Sequence, residues 1–213
     1  MTRQMAPAIV GAVAVVAVGV PALWLLIFGP LATHMVMHIA LMSVAAPLVA
    51  MLLAEVGVAP NLGPKWLWGS TVLQLVALWG LHAPYVHSAA AADAASLSAV
   101  LWMLLVVSAV VFWLSVCSGG PAQWWQAVLA LLVTGKIACL LGALLVFAPR
   151  PIYPVGHHGI DLADQQMAGL LMLAACPVSY VLAGIVIAVQ TLFARAENSG
   201  TVLNRPTLAR QTT

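Results

Sequence analysis

Charge is what this sequence has least of. Of its 213 residues, only 6% are Asp, Glu, Lys or Arg. A soluble domain covers its surface with about 25% charged residues, so the solvent of this chain must be lipid. The net charge of +2 is small and gives no indication of a nucleic-acid partner. Cysteine is scarce as well. Cys117, Cys139 and Cys176 are isolated, with no CxxC or CxxxC pair, which weighs against a thiol metal carrier or a dithiol redox site. They read as small apolar core residues. There is no HExxH and no Gly-rich phosphate loop with a Lys.

What is present is apolar length. Hydrophobic residues make up 64% of the chain, and the mean hydropathy is +1.09. A spanning helix takes about 20 apolar residues. The expected fold is an all-α membrane protein, a bundle of about six transmembrane helices. One helical domain, residues 1–194, uses nearly the whole length, and 195–213 is a polar, frayed tail. The expected spans are Pro7–Phe28, Leu31–Ala54, Trp66–Val86, Ser96–Val116, Trp124–Ala148 and Gln166–Phe193. The first is too long for a signal-peptide core and lacks a clear cleavage site. Gly29-Pro30, the Pro/Gly-rich stretch 55–65 and the turn after Cys117 punctuate the runs.

The cations orient the bundle. Arg3, Lys65, Arg195, Arg205 and Arg210 fall on the side of the termini, against Arg150 on the other. Both termini are therefore expected in the cytoplasm. Trp66, Trp68, Trp113, Trp124 and Trp125 fall at the expected inner ends, as an interfacial belt would. All six histidines then lie at or near the outer face.

His34 and His38 are four residues apart, so on a helix they share a face. Two imidazoles at this spacing can hold one metal ion, and Met42 extends the same stripe with a thioether. An N, N, S set suits Cu(I). An interface hydrogen bond for each histidine and core filling by Met42 explain the same residues without a metal. Pro47 removes a backbone donor and should kink the second span, freeing the Ser43 carbonyl. His82 stands in LHAPY, where Pro84 disfavours helix at Ala83 and lets the imidazole face the outer cavity. His87 reads as a loop residue. His157 and His158, flanked by glycines, can offer one imidazole to a metal or sit in water. Asp164 is placed to cap the last span. Gln165 and Gln166 enter the membrane level and need partners. Lys136 lies near the middle of the fifth span, where an ammonium is costly unless paired. Backbone carbonyls, lipid headgroups and a partner protein are all open to it.

SVCSGG, residues 115–120, superficially resembles a membrane serine protease loop, yet no histidine lies near it. No enzyme activity is expected.

Taken together, THMVMHIALMSVAAPLVAMLLA, LHAPYVHSAA, VVFW, PIYPV and LADQQMAGLLM resemble the CtaG-like family of cytochrome c oxidase assembly proteins, over about residues 31 to 175. The resemblance implies a multi-pass protein of the bacterial cytoplasmic (inner) membrane, linked to copper delivery to haem-copper oxidases. It matches His34, His38 and His82 to family histidines, and Asp164 and Gln165 to the polar start of the last conserved helix. The sequence departs from the family where a fourth-span histidine pair is expected: Leu97 and Leu101 stand there.

The expected function is assembly of cytochrome c oxidase, with transient copper binding at the outer face. The ligands would be His34, His38 and Met42, helped by His82 and by His157 and His158. The partner would be a haem-copper oxidase subunit in the same bilayer. Two rivals stay open. One is a membrane cytochrome with haem between facing histidines such as His38 and His82. The other is a metal-free structural subunit of a respiratory complex, which Leu97 and Leu101 favour.

Overall fold

Apolar runs of this length fold as helices because a bilayer gives backbone groups no partner except one another. The computed structural model describes residues 29–57, 62–86, 96–120, 123–153 and 161–203. Among them there are six α-helices and no strand: α1 (Pro30–Ala40), α2 (Ala46–Glu55), α3 (Pro64–Leu81), α4 (Ser96–Cys117), α5 (Trp124–Phe147) and α6 (Leu162–Leu203). A π-helical turn, Leu41–Ala45, joins α1 to α2 without a break. Four segments are long and apolar enough to cross a membrane: Pro30–Glu55, Ser96–Cys117, Trp124–Phe147 and Leu162–Ala196. The expected first span, residues 7–28, lies outside the described residues, as do His87, His157 and His158.

Three sequence expectations are corrected. The third helix ends at Leu81, short of Val86. His82 takes a non-helical conformation there (φ −90°, ψ 1°), one residue before the position that Pro84 bars from helix. With Lys65, Ser70, Thr71 and Gln74 along its 18 residues, α3 falls short of the four candidates in apolar length. The last helix starts at Leu162 and runs through Leu203, so it does not stop at Phe193. The good helix formers after Phe193, Ala194-Arg195-Ala196-Glu197, carry the ladder past the apolar stretch. Trp113, expected in the interfacial belt, is buried. Its ring stacks on Tyr180 with centroids 5.7 Å apart.

Helices α5 and α6 make the closest pair. They cross where Gly142 meets Gly169, and a Cβ on Gly169 would fall 2.7 Å from the Gly142 carbonyl oxygen. Only hydrogen fits there, so the two backbones touch. The core around this seam includes Leu105, Phe112, Leu131, Ala168, Met172 and Tyr180. Gln74 of α3 donates from Nε2 to the Tyr180 hydroxyl at 2.9 Å, which ties the polar stripe of α3 to α6.

Pro47 has a structural consequence one residue away from the expected one. In an α-helix its missing N–H would free the Ser43 carbonyl. The π-helical turn adds a residue, so the carbonyl left over is that of Met42. Trp113 Nε1 donates to it at 2.8 Å.

Candidate functional site

The end of the bundle that carries the histidines is tied together by side chains reaching between elements. The first backbone N–H groups of a helix have no partner of their own. At α1, Leu31 N–H donates to Asp164 Oδ2 at 2.8 Å and Ala32 N–H to Oδ1 at 2.9 Å. Asp164 sits in the first turn of α6 yet caps α1, which corrects the expectation that it caps its own helix. Asp161 does that instead, its Oδ1 accepting the Asp164 N–H at 2.7 Å. A Cβ at Gly29 would collide with the Asp164 carboxylate, so glycine there makes the capping contact possible.

The two amides that follow meet the opposite need, the orphan carbonyls at a helix C terminus. Gln165 Nε2 donates to Leu145 O at 3.1 Å and Gln166 Nε2 to Val146 O at 3.4 Å, both near the end of α5. Gln165 Oε1 accepts the Ile152 N–H at 2.6 Å. The segment after α5 then reaches α3: Tyr153 donates its hydroxyl to His82 O at 3.1 Å. Burial pushes the Tyr153 phenol up to about 12, so it remains a donor at any ordinary pH.

Three histidines gather beneath this cap. His34 and His38 lie one turn apart on α1, with Nε2 atoms 2.7 Å from each other. One proton shared between the two nitrogens accounts for that distance. The rings of His38 and His82 have centroids 5.2 Å apart, and those of His34 and His82 6.5 Å. His82 Nδ1 lies 2.6 Å from Leu78 O. A carbonyl only accepts, so Nδ1 carries the proton, and in the neutral imidazole Nε2 holds a lone pair. That Nε2 lies 3.3 Å from Met35 Sδ. In the neutral form two lone-pair donors therefore face each other.

Sequence reasoning missed two residues here. Met35 brings its thioether to His82, whereas Met42 lies deeper, in the wall of a void of about 10 Å³ beneath His38. Trp102 of α4 stacks on His38, centroids 4.3 Å apart and planes 10° apart, and meets His34 edge-on at 5.2 Å. Its indole thus stands against the histidines one residue beyond Leu101. The only sequence signal for Trp102 was its closeness to the expected fourth-span histidine positions. Lys136 faces away from the cluster, exposed on α5. Among the described residues no group of three His, Cys, Asp or Glu side chains stands ready to hold a metal ion.

These features define a multi-pass helical membrane protein with a cluster of imidazoles at one end, two of them buried and His34 half-buried. The chain belongs to the cytochrome c oxidase caa3 assembly factor family, whose model matches residues 67–193, more than half of the sequence. The matched region holds His82, Trp102, Asp164 and Gln165, and it begins beyond His34 and His38. No curated protein and no solved structure matches the chain.

Proposed function

We propose that the protein serves oxidase assembly by holding one copper ion in transit, as cargo, at the histidine end. The observation that carries this reading is the convergence of His82 Nε2 and Met35 Sδ at 3.3 Å. With Nδ1 committed to Leu78 O, neither facing atom carries a proton in the neutral site, and a soft cation between them relieves the contact. Breaking the His34–His38 contact adds two more nitrogens. An N, N, N, S set is the donor chemistry of Cu(I). Hydrogen bonding of the second ring nitrogen, as at His82, is the usual way to orient a ligand histidine.

An ion suits the site better than haem. The His38 and His82 centroids are only 5.2 Å apart, and the void beneath His38, about 10 Å³, has room for about one water molecule. The roles assigned to His34, His38 and His82 are those of ligands, and Trp102 walls the site. The chain acts by binding and has no reaction of its own. Its setting is the bacterial inner membrane, with both termini cytoplasmic and the histidine end outward. The receiver is a haem-copper oxidase subunit in the same bilayer.

The test is copper content of purified protein loaded under reducing conditions. About one copper per chain is expected in the wild type, and little in the double variant His34→Ala/His38→Ala. Wild-type protein that takes up no copper sinks the reading. A Soret band in the protein as isolated would turn it toward haem. In cells, the same double variant should lower the copper content of the oxidase, and unchanged content would point to a metal-free scaffold.

A further inference from the structure

Helix α5 carries a charge that no acidic side chain among the described residues balances. Lys136 stands midway along its 24 residues, about 17 Å from either end at 1.5 Å per residue. The side chain is exposed. Leu132, Leu140 and Leu144 lie above and below it on the same face, and all are exposed. A lone ammonium in an apolar stripe at mid-membrane depth is costly, and such residues face a partner or a pathway.

The internal candidates for that partner fail. The chain has five acidic residues: Glu55, Asp93, Asp161, Asp164 and Glu197. Each lies at the end of an apolar run or beyond it, and the run 5–28 has none. A second copy of the chain therefore brings no carboxylate to this depth. Thr134, the nearest hydroxyl on α5, donates to Ala130 O at 2.8 Å and points into the buried side. Headgroups lie beyond reach, because the four-carbon stem of lysine covers only part of the distance to either interface.

We propose that the Lys136 face of α5 docks against a transmembrane helix of a different polypeptide, one that carries an Asp or Glu at mid-membrane depth. The leucines supply apolar contact of no selectivity, since lipid tails offer the same. The ion pair supplies the selectivity, because each charge left alone in the bilayer is penalised. The face lies on α5, away from the histidine cluster, so docking does not depend on copper handling. Loss of one with retention of the other is measurable.

The experiment places a photo-crosslinking residue at Leu140 of the full chain in native membranes, with adducts mapped by mass spectrometry. The expected adduct lies on another polypeptide, within an apolar run of spanning length that contains an Asp or Glu. Its yield should fall by about tenfold in Lys136→Leu, where the partner carboxylate is left unpaired, and persist in Lys136→Arg. Copper content should be unchanged in Lys136→Leu. Adducts confined to lipid, to a second copy or to an acid-free helix overturn the proposal. So does an unchanged yield in Lys136→Leu. If that variant fails to accumulate, the identity of the wild-type adduct still decides.

Discussion

The two ends of this bundle are built on different plans. At the histidine end, each orphan backbone group described above is met by a side chain from another element. Asp164 takes two N–H groups of α1, Gln165 and Gln166 take carbonyls of α5, and Tyr153 takes the carbonyl of His82. The void below the imidazoles is about 10 Å³. At the opposite end the helices part around a cavity of about 670 Å³, bordered by Pro47, Trp113, Ala127, Ala183 and Arg195. The ties described here include Trp113 on the Met42 carbonyl and Arg195 over the Trp124 ring at 5.9 Å. A cross-tied end holds donor atoms at fixed distances, as a binding site requires. An end with slack allows the helices to shift without disturbing those distances.

The largest effect is expected from removing the tie that holds most. Asp164→Ala leaves two buried N–H groups of α1 without their charged acceptor and removes the hydrogen-bonded tie between α1 and α6. At 1.5–3 kcal/mol per charge-assisted bond, the loss should be about 3 kcal/mol or more, read as a fall in unfolding midpoint in detergent. Asp164→Asn keeps one acceptor oxygen and should fall between. If Asp164→Ala unfolds like wild type, the ties at this end do not carry the stability that the capping geometry implies.

Trp113 offers a sharper test, on the boundary between the two ends. Trp113→Phe removes the donor to the Met42 carbonyl and should cost about 1–2 kcal/mol. Pro47→Ala restores a backbone N–H for the same carbonyl. The double variant should recover much of the loss, and a double-mutant cycle measures the coupling. Additive losses would mean that Trp113 acts through its stacking on Tyr180 and not through the carbonyl.

Tyr153→Phe should cost about 1 kcal/mol, the value of one hydrogen bond to a carbonyl. It also carries a pH signature. The folded phenol titrates at about 12, above its ordinary 10, because the charged form is poorly solvated there. The stabilisation is therefore complete below pH 10 and is lost as pH rises from 10 through about 12. Wild type should lose stability across that window, and Tyr153→Phe should lose less of it.

These features were unequally legible in the sequence. The His34–His38 pair could be read because helical spacing alone places residues four apart on one face. His82 could be read to the right level, because span counting and Pro84 put it at a helix end. Met35 and Trp102 could not, since what selects them is the angle at which α1, α3 and α4 meet. The Met42 expectation followed a stripe that assumed unbroken α-helix, and the π-helical turn from Leu41 interrupts that stripe. Pro47 announced an irregularity but not its type, so the freed carbonyl was placed one residue off. Asp164 and the glutamines were legible as polar groups needing partners. Their partners lie from 13 to 133 residues away in sequence, where no local pattern points.

The smallest effect is the most direct contrast between the ends, because it uses one substitution twice on one helix. Ala168 and Ala183 both lie on α6. Ala168 is fully buried near the histidine end, whereas Ala183 borders the large cavity. Adding three carbons at Ala168 forces neighbours off their rotamers, and Ala168→Leu should cost about 1–3 kcal/mol. The same side chain at Ala183 grows into open space, so Ala183→Leu should change stability by no more than about 0.5 kcal/mol. Any gain would come from apolar surface newly packed in the void. Equal destabilisation at the two positions would mean that the far end is as closely filled as the near one. It would then have no slack to give, and helix movement during the proposed copper transfer would have to disturb the histidine end itself.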